Sequence, residues 1–202
     1  MNMICNRFWK GRLHKKSLWL FLVLILTASD TIAAEIIHHE LNVRLQPVEN
    51  SIIVTDNIQL PAGTDSINFS LRNGLTVKAD GGELSLLGQS QTGRLRHYQI
   101  NRLPADGKVQ LSYQGKIVSG GTEGPFDMPE SVLDTENVYL DQGSAWVPDF
   151  DGHPLYTFIL RVEAPRNWQI ISQGKRSSDC LLYTSPSPRD SCIHLVCRLL
   201  LE

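Results

Sequence analysis

Between Ala34 and Asp179 the sequence contains no cysteine. A scaffold stapled by internal disulfides is therefore excluded, and a folded body must rest on its own core. Cys5 stands near the start; Cys180, Cys192 and Cys197 all fall after Asp179. Charge of one sign is also lacking. The formal net charge is -2, and no basic patch is interleaved with aromatics, so nothing electrostatic favours nucleic acid as a partner. Beyond the first 34 residues no apolar pattern has the helical period at ordinary helix length.

Catalytic signatures are missing as well. No Gly-x-Ser-x-Gly elbow surrounds Ser70, Ser90, Ser119 or Ser144. Gly120, Gly121 and Gly124 do not lead into the Lys-Ser/Thr helix start of a phosphate-binding loop. His38-His39-Glu40 looks metal-like, but a metalloprotease helix needs His-Glu-x-x-His, and Val43 stands where the second histidine belongs. The segment reads instead as the exposed start of a strand, where positions four apart lie about 13 Å from each other. Asp141, Asp149, Asp151 and His153 lack the regular oxygen-ligand register of a calcium loop.

What is present begins with a targeting segment. Arg7, Lys10, Arg12, Lys15 and Lys16 precede an unbroken apolar run from Leu18 to Leu26, and Ala28, Ala33 and Ala34 follow. This is the order of a secretory signal peptide over residues 1–34, with Thr31 and Ala33 suited to cleavage after Ala33. The run is about 14 Å long as a helix, short of the roughly 20 apolar residues a membrane span needs. The expected destination is the periplasm or the exterior; the alternative is a membrane anchor through residues 17–34.

From Glu35 the pattern is strand after strand. Leu41, Val43 and Leu45 alternate with polar residues; Ile52, Val54, Ile58 and Leu60 continue after Pro47, with Asp56 as an interruption. These two runs predict an antiparallel hairpin. Further strands are predicted around Ile67–Leu71, Leu75–Ala79, Leu84–Leu86, Leu95–Ile100 and Val109–Tyr113. Asn73-Gly74 predicts a hairpin between two of them. Ile117 to Asn137 reads as an irregular excursion. Tyr156, Phe158, Leu160 and Val162 share one face of a strand, and Trp168 to Ser172 starts another. Short strands with frequent turn signals predict an all-β fold of sandwich-like antiparallel sheets. The body is bounded at residues 35–175.

The stretch from Asp141 to His153 is the most crowded in aromatic, acidic, Gly and Pro residues. Trp146 and Phe150 within it suit either a ligand platform or packing of a long loop against a sheet.

Gly143-Ser-Ala-Trp-Val-Pro148, then Tyr156-Thr-Phe-Ile-Leu-Arg-Val-Glu-Ala-Pro-Arg-Asn-Trp168, then Ile171-Ser-Gln-Gly174 resembles a succession in the M1 (aminopeptidase N-like, gluzincin) metallopeptidases. In that family a Trp-Tyr/Phe-Pro element, a strand, Pro-x-x-Trp and Ser-x-Gly follow in this order in the amino-terminal β domain. His39-Glu-Leu-Asn-Val-Arg-Leu45 with Ile52 to Leu60 is similar to its first strand pair. The resemblance implies that a separate catalytic domain of the same polypeptide carries the zinc, the Gly-x-Met-Glu-Asn motif and the His-Glu-x-x-His helix. This chain contains none of these. The expectation is a non-catalytic fragment: no cofactor of its own, zinc in the catalytic domain, and that domain and a peptide substrate as partners. The resemblance also implies a groove rim at Gln142, Trp146, Asp149 and Phe150. Relatives carry Phe-Pro-Cys-x-Asp-Glu-Pro where this chain has Trp146-Val-Pro-Asp-Phe-Asp-Gly152, a departure that suits a divergent exported branch. The alternative is a free-standing exported β-sandwich for binding or scaffolding. Cys180-Leu-Leu-Tyr-Thr-Ser-Pro-Ser-Pro-Arg-Asp190 resembles translated sequencing-adapter read-through, so residues 176–202 read as an artefactual or disordered tail.

Overall fold

The computed structural model describes residues 36–118, 131–153, 155–165, 168–177, 182–185 and 195–199. The expected signal peptide and anchor, and residues 119–130 of the irregular Ile117–Asn137 excursion, lie outside them. Among the described residues fifteen strands follow in order: β1 (Ile37–Gln46), β2 (Ser51–Gln59), β3 (Ser66–Arg72), β4 (Leu75–Asp80), β5 (Glu83–Gln89), β6 (Leu95–Asn101), β7 (Lys108–Lys116), β8 (Ser131–Leu133), β9 (Asn137–Leu140), β10 (Asp149–Phe150), β11 (Tyr156–Glu163), β12 (Trp168–Ser172), β13 (Lys175–Ser177), β14 (Leu182–Ser185) and β15 (Leu195–Leu199). No α-helix occurs among the described residues. The chain is all-β, as the alternating pattern predicts.

The strands form three sheets. The largest runs β13-β14-β11-β1-β2-β7-β4, a second runs β10-β3-β6-β5, and a third runs β12-β15-β9-β8. β1 and β2 are the predicted hairpin, with Val43 opposite Val54 and a short 3-10 turn at Pro47–Glu49. Proline suits that turn because its fixed φ matches the first helical position. On its other side β1 pairs with β11 in parallel, Leu41 beside Leu160. This pair makes the sheet mixed.

The core follows from period two. Leu41, Val43 and Leu45 of β1, Val54 and Ile58 of β2, Leu111 and Tyr113 of β7, and Phe158 and Leu160 of β11 all face inward and are buried. Phe69, Leu71, Tyr98 and Ile100 from the second sheet and Leu133, Val138, Leu140 and Ile170 from the third join the same cluster. In β1, β2, β7 and β11 one face is therefore apolar and the other mostly polar.

The Asn73-Gly74 hairpin does not form. β3 pairs with β6, whereas β4 pairs with β7 in the large sheet. A two-residue hairpin turn needs positive φ at both central positions. Gly74 has φ 98°, but Asn73 is not among the positive-φ residues. Asn73 donates its backbone N–H to Arg94 at 2.7 Å and its side-chain amide to Gly93 at 2.9 Å. The turn thus hands the chain from one sheet to another. Opposite it, a Cβ on Gly115 would sit 2.1 Å from the Gly74 carbonyl oxygen, so a bare backbone is required there.

Two further differences concern extent. The irregular reading of Ile117–Asn137 missed β8, whose Ser131 and Leu133 are buried. Residues 182–185 and 195–199, read as tail, are paired: β14 lies between β13 and β11, and β15 between β12 and β9.

Candidate functional site

The crowded stretch is built as a capped turn, a buried anchor and a short strand. Asp141 precedes a 3-10 turn at Gln142–Ser144, and its Oδ1 accepts from the Ser144 N–H at 3.0 Å. The Ser144 hydroxyl donates to the Asp141 carbonyl at 2.5 Å. Ala145 closes the turn in the left-handed region at φ 48°. Arg72, at the end of β3, ties this turn down. Its backbone N–H donates to the Ala145 carbonyl at 2.9 Å and its Nη1 to the Ser144 carbonyl at 3.2 Å. Its Nη2 donates to Val118. Burial, and then the neighbouring Arg94, draws the Arg72 guanidinium below its usual value. It remains a five-donor cation, which suits a carbonyl-rich turn.

Trp146 then plunges inward and is 1% exposed. β10 adds to the edge of β3, with Asp149 opposite Ser70 and Phe150 opposite Phe69. Alternation sends Phe150 into the core, 5.5 Å from the Phe69 ring, and leaves Asp149 outside. A pocket of about 210 Å³ results, lined by Ser70, Gln142, Trp146, Pro148, Asp149 and Tyr156 among others. Three of the four rim residues read from sequence, Gln142, Trp146 and Asp149, meet at this pocket. Phe150 is not in its lining and packs beneath it. Ser70 hydrogen-bonds His97, Oγ to Nδ1 at 2.9 Å, a pairing that sequence spacing does not mark. They lie 27 positions apart and meet only through the β3–β6 register.

Two expected outcomes follow. Trp146→Ala removes a fully buried indole, so stability should fall by about 3–5 kcal/mol. Urea unfolding checks this, and a midpoint within error of the parent would show the loop to be anchored elsewhere. Asp149 is raised above the usual carboxylate value, first by partial burial and then by Asp151. A raised folded value means that its favourable contribution is complete at low pH and is lost as pH climbs through that value. Asp149→Asn should therefore gain stability relative to the parent as pH rises from below the usual carboxylate range through the raised Asp149 value. Parallel stability profiles for the two proteins over that range would contradict it.

Beneath the pocket lies a buried polar pair. His39 and Asp56 are both 0% exposed, and His39 Nδ1 lies 2.7 Å from Asp56 Oδ2. The sequence reading of His38–Glu40 as an exposed strand start is corrected at His39. Inward register places it on the core face, with β11 covering that end of β1. Its ring meets Phe150 at 5.8 Å and Tyr156 edge-on at 5.4 Å. The available signal was Asp56 itself, a carboxylate in the inward phase of the Ile52–Leu60 alternation.

Among the described residues, no group of three or more His, Cys, Asp or Glu side chains could hold a metal. A larger hollow of about 470 Å³ opens on the polar outer face of the large sheet, near His38, Glu40, Gln59, Asp80 and Lys108. It lies on the face opposite the core and shares no lining residue with the rim pocket. No described helix is long and apolar enough to cross a membrane.

No protein-family model and no curated protein matches the sequence. Solved structures do match. The M1 zinc metallopeptidase from Deinococcus radiodurans superposes with a TM-score of 0.55 at 18% identity, over 81% of this chain and 42% of that one. A mutant of that enzyme bound to a Tyr-Ser-Ala substrate gives a TM-score of 0.55 at 16% identity, with the same coverage. Native leukotriene A4 hydrolase from Saccharomyces cerevisiae gives 0.51 at 15% identity, over 82% of this chain and 28% of that one. The chain therefore shares a fold with part of these proteins and spans less than half their length.

Proposed function

We propose that this chain is the amino-terminal β portion of a longer, exported zinc metallopeptidase of the M1 aminopeptidase-like kind. The carrying observation is the fold match, which covers most of this chain but only 42% of the D. radiodurans peptidase. In this reading the zinc belongs to the catalytic domain, outside this chain. In this role the β portion shapes and positions; it does not carry out peptide hydrolysis.

The Asp141–His153 stretch would form one wall of the substrate groove. Gln142 offers an amide with both donor and acceptor, and Asp149 offers a carboxylate, on a frame held by Trp146 and Arg72. Such groups suit the polar backbone and amino end of an extended peptide. The reaction itself would be carried by residues of the catalytic domain, and the periplasm or exterior would be its compartment.

Sequencing the same locus past the codon for Lys175 tests this directly. A frame continuing for several hundred residues into a His-Glu-x-x-His helix is expected. A frame that closes without one overturns the proposal in favour of a free-standing binding or scaffold domain. The 202-residue product should release no amino acids from peptides in the presence of zinc. Chelator-sensitive hydrolysis by that product would equally contradict the reading.

A further inference from the structure

The inner face of the large sheet carries three polar side chains in a diagonal row: His39 on β1, Asp56 on β2 and Tyr113 on β7. Asp56 lies opposite Leu41 on one side and Leu111 on the other, so His39 and Tyr113 are each two residues off its direct partners. Diagonal neighbours at this spacing are within reach of long side chains. His39 uses one oxygen of Asp56. Asp56 Oδ1 and the Tyr113 hydroxyl are both buried without a partner among the described residues. The two do not hydrogen-bond each other directly.

A buried carboxylate oxygen and a buried phenol left unpaired in one core is an expensive combination. Their chemistry is complementary. Burial, and then the Asp56 charge, hold the Tyr113 phenol well above its usual value, so it keeps its hydrogen. Asp56 Oδ1 needs a donor, and Tyr113 can donate but does not reach it. One molecule that both accepts and donates resolves the mismatch.

We propose that an internal water molecule is bound between Asp56 Oδ1 and the Tyr113 hydroxyl, as a fixed part of the core. It accepts from the phenol and donates to the carboxylate. Buried waters occupy such polar gaps and become integral to the structure. The bridge extends the His39–Asp56 pair across three strands, from β1 through β2 to β7. His39 in turn supports Phe150 and Tyr156 beneath the rim pocket. The site is independent of the peptidase reading, because it needs only the fold.

A crystal structure of the full chain at a resolution that shows ordered solvent is the direct test. A water peak within hydrogen-bonding distance of both atoms is expected. A dry gap, or either atom paired with a protein group, overturns the proposal. Magnetisation transfer from long-lived internal water to strand amides near Asp56 provides a second readout in solution. That signal should be present in the parent and lost in Tyr113→Phe, which keeps the ring and deletes the hydroxyl. Absence from the folded parent, or full retention in the folded variant, would each contradict a site that uses Tyr113.

Discussion

Replacing Asp56 with alanine is expected to lower stability by about 3 kcal/mol or more, the scale for removing one member of a buried, hydrogen-bonded pair. The reason is what remains. His39 is 0% exposed and would keep its imidazole in the core with Nδ1 unpartnered. Solvent cannot relieve it, because Phe150 and Tyr156 close over the ring. The decisive comparison is a cycle of the parent, His39→Leu, Asp56→Leu and the double variant His39→Leu/Asp56→Leu. Making the whole patch apolar removes both the desolvated groups and their unmet bonds. The double variant should therefore be more stable than Asp56→Ala. Urea unfolding of all four proteins supplies the coupling energy. If Asp56→Ala loses less than about 1 kcal/mol, the ordinary size of a surface effect, the pair is not the core fixture described above.

The same pair shows where sequence reasoning stops. Period-two alternation placed Leu41, Val43, Ile52, Val54 and the Tyr156–Val162 face correctly, because burial on one face leaves a direct imprint on residue type. Asp56 looked like a break in that alternation. In the fold it keeps the phase and is buried, with one carboxylate oxygen paired to a residue 17 positions earlier. Alternation records which side a residue faces, whereas pairing across strands records register, and register is a tertiary property. Asn73-Gly74 failed for a related reason. The dipeptide specifies a tight turn, but the two strands it joins find better partners in different sheets. At the rim, the crowding of Trp146 and Phe150 with acidic residues was legible, but not whether the two rings face a ligand or the core. β10 is two residues long and takes its phase from β3, which sends Phe150 inward.

Ending the chain at Ser177 should increase self-association relative to the full chain. β14 is the neighbour that covers the outer edge of β11 and holds β13 to the sheet. β15 joins β12 to β9, and its Leu195 is 0% exposed in the core. Deletion of one buried leucine side chain alone costs about 2–5 kcal/mol. Four newly bared strand edges, on β13, β11, β12 and β9, would add a route to self-association. Light scattering and size-exclusion chromatography across a concentration series should show more association than the full chain shows under the same conditions. The strand slots themselves need little sequence information. Edge pairing uses main-chain groups, so an extended apolar segment of any origin can fill them. Pairing of residues 182–185 and 195–199 is thus compatible with a tail foreign to the domain. Replacing those two segments with unrelated alternating Thr/Val strands of equal length separates the cases. A return to the full chain's level of association is expected if the slots are generic. Excess association persisting with this replacement would mean that the particular side chains of these two segments belong to the domain.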